Sequence, residues 1–96
     1  MKVSELMTRN AMRDAPLLSQ QAGGISLPRV QQFVDRLLGG ETAPAIKVDG
    51  TMIVGGNHHY VAARIVGLPV AIQPWAGGRP ANAVHWNDLR IDKNFW

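Results

Sequence analysis

Two adjacent histidines, His58 and His59, follow two glycines and an asparagine in the stretch "MIVGGNHHYVAARIVGLPV", Met52 to Val70. An unperturbed imidazole titrates near pH ~6.5, so either ring can act as a general acid or base at neutral pH. Gly55 and Gly56 would let a phosphate approach the backbone closely. The N–H groups and dipole of a helix starting there would favour negative charge. Asn57 can serve that site or cap the helix, and capping is the simpler role. Metal binding fits less well: neighbouring side chains on a helix diverge by about 100°, and Asp49 is the only carboxylate close in sequence. Nucleophilic catalysis finds no support. There is no cysteine, and Ser4, Ser19 and Ser26 sit in no nucleophile-elbow pattern.

These residues need a scaffold, and the chain supplies one on either side. "GGISLPRVQQFVDRLLGG" reads as a helix with Ser26 as N-cap and Pro28 in the first turn. Val30, Phe33, Val34, Leu37 and Leu38 form one apolar face, and Gly39-Gly40 supplies a left-handed stop. "APAIKVDGTMIVGG" reads as two antiparallel strands around Asp49-Gly50, a type I′ turn signal. Their imperfect alternation suggests strands covered on both faces. A helix from about Asn57 to Gly67 follows. Wound at about 100° per residue, it places His58 on the face of Val61 and Ile65, one turn earlier, at the helix mouth. His59 points roughly a quarter-turn away, and Tyr60 and Arg64 lie on the opposite, polar side. "PVAIQPW" is a third strand, "AGGRPANAV" a loop, and "HWNDLRIDKNFW" an apolar tail. Residues 1–19 read as an N-terminal extension or linker, in which Ser4 can cap a short helix ended by Pro16. Residues 20–96 form the domain, an α+β fold with a mixed sheet and packed helices.

The 96 residues carry a net charge of +3 and 46% apolar residues, enough for one modest core. The positive charge is spread evenly: residues 1–19, 20–66 and 67–96 each carry one more basic than acidic side chain. Without a Lys/Arg stripe, charge alone does not argue for nucleic acid. No apolar run approaches the ~20 residues of a membrane span, and the N-terminus lacks the apolar block of a signal peptide. Trp75, Trp86, Trp96 and Phe95 can stack bases or simply fill the core.

The segment "APAIKVDGTMIVGGNHHYVAARIVGLPVAIQPW" resembles the ParB/sulfiredoxin-like superfamily, in which a strand–turn–strand leads to a "DGHHR" or "GGCHR" junction opening a helix. The lead-in "VQQFVDRLLGGETAPAIKV" is also similar, and the likeness spans roughly residues 24 to 76. It implies a junction that binds nucleotide or nucleic-acid phosphates, with His58 at the superfamily histidine. Asn57 stands where sulfiredoxins carry their catalytic cysteine, which excludes sulfinic acid reduction, and where partition proteins carry glutamate. Gly55 replaces a frequent aspartate, and His59 replaces the arginine that usually follows the histidine. The tail, Trp86 to Trp96, looks like those of the small ParB-like domains at the C-termini of bacterial polymorphic toxins.

That resemblance implies a toxin domain acting on a phosphate-containing substrate, foremost as a nuclease and otherwise on ATP or another nucleotide. His58 and His59 are the candidate catalytic residues. Gly55, Gly56, Asn57, Lys47, Arg64 and Tyr60 are the candidate phosphate-binding residues. Hydrolysis without a metal or other cofactor is the more natural chemistry in the absence of a carboxylate pair, with a divalent metal left open. The implied partners are a cognate, acidic immunity protein and the nucleic acid or nucleotide substrate, with no membrane segment. The implied place of action is the cytoplasm of a target bacterium after delivery on a larger secreted carrier. The alternative is a non-catalytic nucleotide- or DNA-binding module, against which the lack of a helix-turn-helix segment counts.

Overall fold

Two serines start the first two helices. In the computed structural model, which describes residues 1–21 and 23–94, the Ser4 hydroxyl accepts the Met7 N–H at 3.1 Å and opens α1, Glu5–Met12. Ser26 accepts the Arg29 N–H at 3.3 Å and opens α2, Leu27–Leu38, with Pro28 in its first turn. Each bond satisfies a backbone donor that lacks an intrahelical partner. The buried face of α2 is Leu27, Val30 and Val34, with Phe33 and Leu37 partly covered. Leu38, expected on that face, is exposed. The left-handed residue after α2 is Gly40, whereas Gly39 keeps a negative φ.

Residues 1–19, which the sequence marks as an extension or linker, instead supply Val3, Met12 and Ala15 to the common core. Arg64 fastens α1 through its Nε–H, donated to the Ala11 carbonyl at 2.8 Å. Residues 17–19 also lie along the sheet. Leu18 exchanges backbone bonds with Thr51 (2.7 Å) and Ile53 (2.8 Å), which covers the free edge of β3 (Met52–Gly55).

The main sheet runs β3–β2–β4, with β2 at Ile46–Asp49 antiparallel to β3 and parallel to β4 at Ile72–Pro74. Asp49 pairs with Met52, so the loop is Gly50-Thr51 rather than the expected Asp49-Gly50. Gly50 has φ +64° and no described non-glycine residue has positive φ. A type I′ turn needs two positive φ values, so the turn is of another type. β2 alternates, with Ile46 and Val48 buried and Lys47 and Asp49 exposed, and β4 is exposed throughout. The sheet therefore has one solvent face, against the expectation of strands covered on both sides.

A second, two-stranded sheet pairs β1 (Ile25–Ser26) in parallel with β5 (Ile91–Asp92). The tail thus returns across the molecule to the residue that caps α2. Within it, Trp86 is buried and donates its indole N–H to the Leu17 carbonyl at 2.7 Å. Phe95 and Trp96 lie outside the described residues. The third helix, α3 at Asn57–Val66, packs between α1 and α2, and all seven of its residues from Asn57 to Ala63 are buried. No helix of the described residues is long and apolar enough to cross a membrane.

Candidate functional site

β3 ends at Gly55, and the chain turns into α3 through Gly56, which has φ +99°. A Cβ at Gly56 would come within 3.3 Å of Ile46 Cγ1 and 3.5 Å of Ile46 Cα. Glycine is therefore favoured twice, by a left-handed backbone and by a tight approach to Ile46 on β2. Asn57 does not cap the helix that follows: α3 has no side-chain cap. Instead Asn57 Oδ1 accepts the Ser19 hydroxyl at 2.8 Å, and its Nδ2 donates to Gln21 Oε1 at 3.2 Å. That residue holds the 19–21 segment in place and leaves the first turn of α3 uncapped by any side chain.

The two histidines part company here. His58 is 7% exposed, and its Nε2 accepts the Ser26 N–H at 3.1 Å. Accepting that bond requires the neutral ring. Burial, helped by the positive charge of Arg29, pushes its pKa down to about 4. His58 thus faces inward, to the start of α2.

His59 faces the other way, stacked on Phe33 with ring centres 5.7 Å apart and planes 19° from parallel. Burial lowers its pKa, an effect that the nearby Pro44 carbonyl partly offsets. His59 lines a cleft of about 230 Å³ with Phe33, Pro44, Ala45, Lys47, Gly55 and Gly56. The Lys47 stem crosses Gly55, its Cδ 3.7 Å from where a Cβ would stand. The ammonium ends 4.3 Å from the centre of the Trp75 ring. The Arg36 guanidinium lies 5.7 Å from the centre of the Phe33 ring. Lys47, Gly55, Gly56 and His59 therefore form one cleft wall with no carboxylate in its lining. Its volume falls below the ~300–1,000 Å³ of pockets that enclose whole small molecules, so it suits one polar group of a larger ligand.

The remaining candidate residues stand elsewhere. Arg64 is committed to the Ala11 carbonyl and to Asp14, 2.8 Å from its carboxylate. Tyr60 is not on a polar face: it is buried and packs on Trp86, ring centres 5.8 Å apart. α1 and the tail cover the side of α3 that the helical winding alone marks as polar. Sequence reasoning missed Phe33, Pro44 and Ala45 as cleft residues. Phe33 sits at the edge of the apolar stripe of α2, which is its only signal. A larger cavity, about 570 Å³, lies away from the histidines, between Lys2–Leu6 and residues Leu27, Pro28, Gln31 and Lys93. Of its charged groups Lys2, Glu5 and Lys93, the last two face each other at 3.7 Å, and no histidine lines it. Among the described residues, no group of three or more His, Cys, Asp or Glu side chains could hold a metal ion.

Comparison with models of known protein families, with curated proteins and with solved structures gave no match.

Proposed function

We propose that the cleft at the mouth of α3 binds a phosphate group of a nucleic acid or nucleotide. On this reading the domain hydrolyses that ligand as the toxin domain of a bacterial polymorphic toxin with a ParB/sulfiredoxin-like fold. The observation that carries it is the convergence of Lys47, the Gly55-Gly56 junction and His59 on one cleft without a carboxylate. The lysine and the uncapped first turn of α3 both favour an anion. The acid/base role passes from His58, held by the Ser26 N–H, to His59. A neutral His59 would take a proton from water as the water oxygen bonds to phosphorus. The phosphorus–oxygen ester bond then breaks, and the departing oxygen regains a proton from solvent or from the imidazolium. A net charge of +3 suits an acidic immunity partner, since complementary potentials speed association. Delivery on a secreted carrier into the cytoplasm of a target bacterium belongs to the same reading.

A second reading, a non-catalytic binding module, is favoured by one feature. The only histidine in the cleft is 6% exposed and stacked on Phe33, with no second titratable acid beside it. Binding and turnover of labelled DNA, RNA and ATP, measured with wild-type protein, Lys47→Ala and His59→Ala, separate the two. Turnover lost in His59→Ala, together with growth arrest on induced expression, supports the toxin. Lys47-dependent binding without turnover supports the module. No binding of any phosphate ligand removes both.

A further inference from the structure

Of the two tryptophans in the described residues, Trp86 is 4% exposed and Trp75 is 47% exposed. Several other large apolar side chains are as open, and it is the neighbours of Trp75 that set it apart. Trp75 directly follows β4 and extends its ladder, donating its N–H to the Val48 carbonyl at 2.9 Å. The chain beyond it is held on both sides. Asp49 accepts the Gly78 N–H at 2.8 Å, and Gln20 both accepts the Arg79 N–H at 2.8 Å and donates to the Gly77 carbonyl at 3.2 Å. The ring is therefore mounted on a fixed edge of the sheet. Lys47 joins it to the cleft: the same side chain lines the cleft wall and sets its ammonium over the indole. A half-exposed indole and the cleft are thus joined by one shared cation on the solvent face of the sheet.

We propose that Trp75 is a base-stacking platform and that the ligand of the α3 cleft is a single-stranded nucleic acid. One phosphate enters the cleft at Lys47, and a neighbouring base lies on the face of the Trp75 ring that the Lys47 ammonium does not cover. This rests on the phosphate-binding reading above and narrows its substrate class. Every nucleobase offers a π-face, so stacking is tolerant of sequence, and single strands expose bases that a duplex keeps paired. Charge complementarity agrees: Lys47 lines the cleft and no carboxylate does, while the exposed Asp49 carboxylate, two residues along β2, is turned to the Gly78 N–H.

The test titrates purified protein with a fluorescent single-stranded oligonucleotide of about 12 nucleotides, its duplex, ATP and pyrophosphate. Wild type, Trp75→Ala, Trp75→Phe and Lys47→Ala are compared, each with its melting temperature. The expected result is tighter binding of the single strand than of the duplex. Trp75→Ala should weaken single-strand binding roughly 5- to 150-fold, the worth of one base–aromatic stack. Trp75→Phe should restore most of it, and pyrophosphate, which has no base, should lose less. Lys47→Ala should weaken all four ligands and lower the slope of log affinity against log salt by about one. A Trp75→Ala variant that binds the single strand as wild type does, or a duplex bound equally well, overturns the platform. In that event Lys47-dependent pyrophosphate binding keeps the cleft reading, and no binding of any ligand removes both.

Discussion

The Nε2 atom of His58, the second residue of α3, accepts the backbone N–H of Ser26, the residue that caps α2. One imidazole thus joins the starts of two helices through residues 32 positions apart in sequence. Ser26 is also in β1, which the tail pairs through β5, so the same ring braces the return of the C-terminal segment.

Replacing His58 by alanine removes its bond to the Ser26 N–H, worth about 0.5–1.5 kcal/mol, together with the packing of a buried ring. For a domain of this size, each kcal/mol lowers the melting temperature by about 4–8 °C. His58→Ala should therefore melt clearly lower. Ligand binding in the cleft should fall only with the folded fraction. A variant that keeps its melting temperature would show that the bond contributes little.

Burial of the same ring, with the Arg29 charge beside it, sets a pH dependence. The pKa of His58 falls from the model-peptide 6.5 to about 4 on folding, so between these values the unfolded chain binds more protons than the folded one. Stability contributed by the neutral ring is complete above pH ~6.5 and is lost as pH falls towards about 4. Thermal melts across this range should show the midpoint dropping on acidification, with the drop reduced in His58→Ala. Equal slopes in the two proteins would contradict the assignment.

Local signals were well written in the sequence. Ser4 and Ser26 cap the helices that their positions announce, the hairpin lies within one residue of the Asp49-Gly50 dipeptide though with another turn type, and α3 begins at Asn57. What was illegible is non-local. Helical winding puts His58 on the apolar face, but only the pairing of Ile25–Ser26 with Ile91–Asp92 brings a backbone donor to meet it. Asn57 resembles a cap until Ser19, 38 positions away, supplies the stronger local partner. Tyr60 and Arg64 look solvent-facing until α1 and Trp86 cover them, and no periodicity within residues 1–19 announces that docking.

Tyr60 offers a test of that covering. Its hydroxyl is buried and, among the described residues, meets no hydrogen-bond partner. Removing such a group relieves a desolvation cost, so Tyr60→Phe should lie between neutral and about 1 kcal/mol more stable. Phosphate-ligand affinity should stay unchanged, because the ring packs against Trp86 on the side away from the cleft lining. A marked loss of ligand affinity would return Tyr60 to the binding site.

Arg64 separates a partly buried hydrogen bond from an exposed ion pair. Asp14 is 87% exposed in its side chain, and solvent-screened pairs contribute about 0–1 kcal/mol. The Ala11 carbonyl, by contrast, receives a charged donor at 2.8 Å, a bond of about 1.5–3 kcal/mol. Asp14→Ala should leave the melting temperature nearly unchanged, and Arg64→Ala should lower it. Neither should alter the salt dependence of ligand binding.

Gly56 and Gly67 bracket α3 with the same left-handed backbone but different surroundings. An added Cβ at Gly67 would meet nothing within 4 Å, whereas at Gly56 it would press on Ile46. Gly67→Ala should cost only the backbone strain, about 1–2 kcal/mol. Gly56→Ala adds an overpacking cost of about 1–3 kcal/mol and shifts the junction that lines the cleft. Denaturant melts should show the larger loss at Gly56. Equal losses would mean that Ile46 yields freely.

The sharpest separation of the two histidines comes from their own titration in the presence of an anion. Both rings have lowered pKa values, chiefly through burial, but only His59 lines the cleft. A phosphate bound beside His59 stabilises its imidazolium, as an opposite charge within about 4–6 Å does, and so raises its pKa. By reciprocity, binding must tighten as pH falls through that range. His58, turned towards Ser26, should shift little. An NMR titration of the imidazole protons with and without pyrophosphate reads both rings in one sample. If His59 also serves as the base, turnover should rise with pH through its depressed pKa and level off above it. His59→Ala should then cost about 10²–10⁴-fold in turnover. A pyrophosphate-induced shift confined to His58, or no shift in either ring, would move the anion site away from this cleft.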